Sequence, residues 1–308
     1  MPSVITTKGP VDVHNEFVEG LRSMELLRLL PLDDIQEPLR YALYRLYVLA
    51  CERIENGGRD LDLVPKIARM LPNEPDAPNW VTYTDKMHTA ASFGYLTEIC
   101  KGENFSPEEQ KGVLSAIVVH DCAYPKVGSD EYRKARAIHM EMGTDAFYQF
   151  AGIVNGEFPS TFYNSKSIEE IIAIIEQHDN PSVKDEDGKP LQFHYDPPKK
   201  ELLWAHREAD RLWMLDRAGF ALDLLRRLAP DESDKVEYDP QSYLKHVVKR
   251  HVQEGMQAYS DNEDCIMLRE NWFGFKGQKT LYRTQKGFEV FMRLVEERAK
   301  EYNVNLSE

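Results

Sequence analysis

The chain has 308 residues, 42% of them hydrophobic and 29% charged, a composition that suits a globular protein and excludes fibrous and low-complexity classes. Its net charge of -14 argues against a general nucleic-acid or anionic-membrane binder, which would carry excess Lys and Arg, while leaving room for a local basic pocket that holds a small anion. No apolar run approaches the ~18 residues that cross a bilayer, and Met1 to Pro10 lacks the apolar core of a signal peptide, so the expected compartment is the cytoplasm.

Nearly every segment repeats its apolar residues at helical spacing, and the expected fold is all-α. From about Val11 to Leu30, Val13, Phe17, Leu21, Met24 and Leu27 share a face, and Pro31 breaks the pattern. A second helix starts near Glu37 with Pro38 in its first turn and stops at Asn56-Gly57-Gly58. The stretch Pro72 to Trp80, rich in Pro, Asn and Asp, reads as a linker, and Thr84 to Ile99 as a helix carrying His88. Ser106-Pro107-Glu108-Glu109 places an N-cap, a first-turn proline and two acids that suit a helix N-terminus, opening a helix that runs through Leu114, Ile117 and Val118 to His120.

Asp121 to Ser129 reads as a loop. Asp130 then starts a helix that carries His139 and continues to about Phe150. Ser167 starts the next, which ends at His178-Asp179-Asn180-Pro181, and residues 182–198 suit a short hairpin or flap. A long helix from Lys199 to about Leu228 carries His206 and Asp210. Beyond a polar break at Pro230 to Pro240 come a helix over Tyr243 to Tyr259, a loop at Asn271-Trp272-Phe273-Gly274 and a last helix from Lys286 to Tyr302. The chain therefore divides into an N-terminal helical extension (1–75), a central domain (76–229) and a C-terminal helical extension (230–308). The apolar stripes of the extensions fit either a cover for the central bundle or a homodimer contact.

The chemistry concentrates in the central domain. His88, the doublet His120-Asp121, His139, the doublet His178-Asp179 and Asp210 fall on successive helices. Imidazole and carboxylate donors gathered from separate helices are what a closed site for one or two transition-metal ions requires, and Fe, Mn, Zn, Ni and Co suit such donors better than Mg or Ca. The four cysteines, Cys51, Cys100, Cys122 and Cys265, are scattered and form no CxxC pair, so neither a disulfide framework nor a thiolate zinc site is expected.

The ordered series His, His-Asp, His, His, Asp resembles the HD-domain superfamily of metal-dependent phosphohydrolases over about Thr84 to Phe220. By that resemblance His88, His120, Asp121 and Asp210 form the core for one ion. His139, in a His-x-x-x-Gly segment closed by Gly143, and His178 match the two further histidines of members that hold two. The separation of His139 from His178, 39 residues, is long for such members, which places an insertion in Ala151 to Ser165. No Gly-Tyr-Pro element follows the histidines, which disfavours a cyclic-dinucleotide phosphodiesterase. The resemblance implies an all-α bundle, one or two divalent transition-metal ions, and hydrolysis of a small phosphorylated substrate such as a nucleotide. A bound ion lowers the pKa of water far below the ~15.7 of bulk, and Asp121 can bridge two ions because a carboxylate has two donor atoms.

Substrate phosphate needs cations. Lys126, in the loop after the doublet, and Arg211, beside Asp210, are the candidates that join Asp121 as catalytic residues; Arg133, Arg136 and Arg207 are weaker ones. Tyr124 suits either substrate stacking or packing, and Glu141 a surface position. Asp179 reads as a helix-terminal or supporting residue rather than a ligand, and His206, four residues before Asp210, as a structural residue on the same face. His14, His194, His246 and His251 fall outside the series and read as surface or packing residues. Two rival functions use the same ligands: an HD-type di-iron oxygenase and a non-catalytic regulatory domain stabilised by metal.

Overall fold

The computed structural model describes residues 30–57, 80–122, 130–179, 199–217, 219–220, 240–257 and 264–307. The helix expected from Val11, the linker before Trp80 and the segment 182–198 lie outside them. The described residues form eight α-helices and no strand, so the all-α expectation holds. They are α1 (Leu39–Gly57), α2 (Trp80–Gly102), α3 (Pro107–Val119), α4 (Asp130–Glu157), α5 (Ser165–Gln177), α6 (Lys200–Leu212), α7 (Pro240–Gln257) and α8 (Gln285–Glu301). None of them is long and apolar enough to cross a membrane.

Two compact units divide the chain. One is Leu27–Asp210; the other joins Met1–Leu26 to Arg211–Glu308. In the first, α3 is the central element and packs against α1, α2, α4 and α5. Its sequence shows why a stable helix forms there. Ser106 caps the N-terminus, accepting from the Glu109 backbone N–H while the Glu109 side chain accepts from the Ser106 backbone, and Pro107 occupies the first turn. Beyond that turn, every residue from Gly112 to Val119 is buried. Ile117, Val118 and Val119 are poor helix formers in isolation; burial of about 1.5–3 kcal/mol per side chain outweighs a propensity cost of a few tenths each. Truncating Ile117 to Ala would cost about 2–5 kcal/mol.

Helix α1, assigned by its position in the sequence to an N-terminal extension, packs on α3 and α4 in the same unit as the histidines. Arg45 of α1 makes a two-pronged ion pair with Glu157 of α4, at 2.7 Å for its closest contact. Glu157 is available because α4 runs seven residues past the Phe150 expected from sequence. That extension accommodates much of the long separation between His139 and His178. The chain then turns back through Phe158–Asn164, where Asn155 brackets Tyr163 with bonds of 2.9 and 2.7 Å to its carbonyl and N–H. Tyr163 in turn shares a 2.9 Å bond with the buried Ser115 of α3. Asn164 caps α5, accepting from the Ser167 N–H, so the helix starts two residues before Ser167.

The helix expected from Lys199 to Leu228 is interrupted. After Leu212 a 3₁₀ turn, Trp213–Leu215, leads to Asp216 in an extended conformation (φ -56°, ψ 148°). Asp216 opens a new turn, its carbonyl accepting from Phe220 at 2.7 Å and its side chain from Gly219 at 3.4 Å. A Cβ on Gly219 would lie 2.0 Å from the Trp213 carbonyl oxygen, so only glycine permits this approach. In the second unit α8 packs on α7 and on the 3₁₀ turn. An isolated bridge, Met267 to Lys279, organises the segment between α7 and α8, and no disulfide joins the four cysteines.

Candidate metal centre

Five helices of the Leu27–Asp210 unit deliver the candidate ligands. His88 lies within α2, His139 within α4 and Asp210 near the end of α6, while His120 and His178 terminate α3 and α5. All four series histidines and Asp210 are buried. Helix ends leave the last carbonyls without partners. His120 Nδ1 donates to the Ile117 carbonyl at 2.8 Å, and His178 Nδ1 to the Ile175 carbonyl at 2.7 Å. The same bond therefore satisfies a helix-end carbonyl and fixes the tautomer, leaving each Nε2 with its lone pair pointing inward.

The donors form two groups. In the first, His88 Nε2 lies 3.0 Å from Asp210 Oδ1 and 3.2 Å from His120 Nε2. His120 Nε2 is 3.3 Å from the same Asp210 oxygen, and Asp121 Oδ2 lies 3.6 Å from both rings. In the second, His139 Nε2 and His178 Nε2 are 3.2 Å apart, with Asp121 Oδ1 at 4.0 and 3.7 Å from them. Asp121 thus turns one oxygen to each group. Donors about 2.1 Å from a shared ion stand about 3.0 Å apart when cis and about 4.2 Å when trans, and every one of these separations falls in that range.

The donor chemistry fits a cation. In each group two imidazole Nε2 atoms face each other at 3.2 Å, and one ring of each pair has its proton committed to a carbonyl on Nδ1. Beside carboxylates, each such pair can share a proton or take a metal cation in its place. At His120 burial acts to lower the pKa, but the charge of Asp121 and the hydrogen bond and charge of Asp210 prevail and raise it to about 9. The residues that would hold an ion are His88, His120, Asp210 and Asp121 on one side, and His139, His178 and Asp121 on the other.

Glycine explains how α4 reaches this centre. Gly143 lies one turn beyond His139, and a Cβ there would stand 2.7 Å from the His120 carbonyl oxygen and 3.2 Å from Ile175. The close approach carries His139 up to His178. The His-x-x-x-Gly segment is therefore a packing device as well as a candidate ligand position.

Other residues named from sequence fall elsewhere. Arg207, a candidate phosphate anchor, instead turns to the end of α5. Its Nε donates to the carbonyls of Gln177 at 2.9 Å and His178 at 3.2 Å, its second nitrogen bonds Gln177 and lies 3.4 Å from the Asp179 carbonyl, and its plane stacks on Trp204. It anchors the turn that presents His178. Sequence gives no sign of this role, because the acceptors are backbone atoms about thirty residues away. Asp179, expected as a helix-terminal or supporting residue, follows the C-cap of α5, with its Oδ2 3.7 Å from His139 Nε2. Arg211 begins the second unit, where its charge helps to lower His251. Lys126 and Tyr124 lie outside the described residues, as do the side chains of Arg133 and Arg136, and Glu141 is exposed.

His206 is fully buried with its ring edge-on to His120 and tilted against His178, at centroid distances of 5.1 and 5.5 Å. Neither of its nitrogens has a hydrogen-bond partner. Burial, then the neighbouring His120 and His178, push its pKa well below the usual histidine range, so it is a neutral packing ring behind the ligands. No protein-family model matches the chain, and no curated protein or solved structure matches it.

Proposed function

We propose that the protein is an HD-domain metal-dependent phosphohydrolase that cleaves a small phosphate ester, with nucleotides the first class to test. The observation that carries this reading is Asp121, whose two carboxylate oxygens face two separate histidine pairs. Were two ions bound, such a residue would tie both to one helix end. The buried Nδ1 bonds of His120 and His178 keep those rings from turning away. Fe, Mn, Zn, Ni or Co ions bound there would supply Lewis acidity and a water activated near neutral pH.

No protein nucleophile is needed in this scheme. The chain's tasks are to hold the donors rigid, to keep Nδ1 of His120 and His178 bonded to helix-end carbonyls and to anchor the substrate. Lys126, five residues after Asp121 in sequence, and Arg211, next to Asp210 in sequence, are the proposed phosphate anchors, each able to make charge-assisted bonds to phosphoryl oxygens.

Purified chain loaded separately with each of the five metals and screened against nucleotides and simple phosphoesters without O₂ should release phosphate with at least one metal. Asp121→Ala should abolish that release. Absence of release with every metal contradicts the hydrolase. A mixed-valence iron pair with substrate-dependent O₂ consumption would assign the same ligands to a di-iron oxygenase. A metal-dependent rise in melting temperature with no turnover would assign them to a non-catalytic domain.

A further inference from the structure

The two histidine-aspartate doublets occupy equivalent places. Ile117-Val118-Val119-His120-Asp121 closes α3, and Ile175-Glu176-Gln177-His178-Asp179 closes α5. In both, the histidine follows the last helical residue and donates Nδ1 to the carbonyl of an isoleucine three positions back. In both, the aspartate comes next and turns its carboxylate towards the same group of rings. Asp121 faces both histidine pairs and would bridge two ions. Resting on the metal-centre reading above, we propose that Asp179 is a seventh protein ligand, the terminal carboxylate of the second ion.

Three observations support it. First, Asp179 Oδ2 lies 3.7 Å from His139 Nε2, as Asp121 Oδ1 lies 3.7 Å from His178 Nε2. That is too long for a hydrogen bond to the ring and right for two donors around one ion. Second, Arg207 grips the carbonyls of Gln177, His178 and Asp179, so the backbone carrying the carboxylate is held from α6. Third, the side chain of Asp179 is 23% exposed, close to the 19% of Asp121, so it sits at the same rim of the cluster.

With Asp179 included, the two sites become chemically alike. One has His88, His120, Asp210 and an oxygen of Asp121; the other has His139, His178, Asp179 and the remaining oxygen of Asp121. Three carboxylates, rather than two, then offset the pair of divalent charges. The second ion is held by four protein donors instead of three, which favours retention of two ions per chain at low metal concentration and shifts the second site toward metals that accept mixed oxygen and nitrogen donors, Mn and Fe foremost.

The test uses the full chain and Mn²⁺ alone. Bound ions are counted by elemental analysis after equilibrium dialysis over a range of free Mn²⁺, and the bound metal is followed by electron paramagnetic resonance. Wild type should bind two ions and give the signal of a coupled pair. Asp179→Ala and the isosteric Asp179→Asn should each weaken the second ion at least tenfold and give the signal of an isolated Mn²⁺, while keeping the first. Both variants should match wild type in far-ultraviolet circular dichroism and in melting temperature without metal. Two ions bound by Asp179→Asn with affinity within threefold of wild type overturns the proposal. A wild-type chain that binds no Mn²⁺ instead fails the metal-centre reading itself.

Discussion

His120 and His251 are both fully buried, and each lies on or at the end of a helix, yet their surroundings drive them in opposite directions. His120, in the Leu27–Asp210 unit, faces the carboxylates of Asp121 and Asp210 and is raised to about 9. His251, in α7 of the other unit, stacks on Phe291 and Tyr282 with centroids 5.1 and 5.8 Å away and shares a 2.8 Å bond between its Nδ1 and the Tyr282 hydroxyl. Burial, then the positive charges of Arg250 and Arg211, lower it to about 3. Burial alone does not make a histidine a ligand. Carboxylates facing the same nitrogen make it a candidate ligand, and His206, buried among rings with no hydrogen-bond partner, falls on the side of His251 although it touches the candidate ligands.

The largest expected effect comes from removing the residue that unites the two groups. Asp121→Ala should cost the centre both ions. Each ion present at a hundredfold excess over its Kd stabilises the fold by about 2.7 kcal/mol, so the rise in melting temperature that metal gives wild type should vanish in this variant. Retention of the full rise would separate the ligand cluster from the metal and erase its contrast with His251. A smaller and more selective effect is expected at Gly143. In Gly143→Ala the added Cβ meets the His120 carbonyl, so α4 must shift. Crowding of this kind costs about 1–3 kcal/mol, and the widened gap between His139 and His178 should weaken the second ion before the first. Equal weakening of both ions in a metal titration would contradict that geometry.

Much of this arrangement is legible in the sequence, for identifiable reasons. The ligand order His88, His120-Asp121, His139, His178 and Asp210 is a list of residue types, and helical periodicity alone places each on a separate element. The α3 start is legible because Ser106, Pro107 and Glu109 act within one turn of each other. Features set by tertiary contact are not. Nothing local tells that α4 continues to Glu157, where Arg45 of α1 waits, or that the helix from Lys199 stops at Leu212, since no Pro or Gly stands there. Ser167 is itself a good capping residue, which hides the earlier cap at Asn164. Asp179 carries a signal that sequence does offer, an acid at a helix end disfavoured by the dipole, repeating the doublet at 120 and 121.

The His251 side of the comparison predicts a pH effect of opposite origin. The unfolded chain binds a proton at this residue near pH 6.5, whereas the folded chain resists it until about pH 3. Its contribution to stability is therefore present above about pH 6.5 and is lost as pH falls, at about 1.4 kcal/mol per unit through that window. His251→Phe, which cannot titrate, should flatten the difference in urea-unfolding stability between pH 6 and pH 4 by about that slope. Identical slopes in wild type and variant would show that His251 does not stay neutral. The smallest effect belongs to His206. Replacing it with Leu removes two unpartnered polar atoms from the core, and stability should change little or rise by about 1 kcal/mol, with the ion count unchanged. Loss of an ion in that variant would move His206 from the packing side of the comparison to the ligand side.

The central claim is that one carboxylate, Asp121, joins two metal positions. The most direct measurement is the number of transition-metal ions retained per chain after loading and exhaustive dialysis, wild type beside Asp121→Ala. The account predicts two ions in wild type and none in the variant. A wild-type chain that retains no transition metal under aerobic and anaerobic loading alike would contradict it.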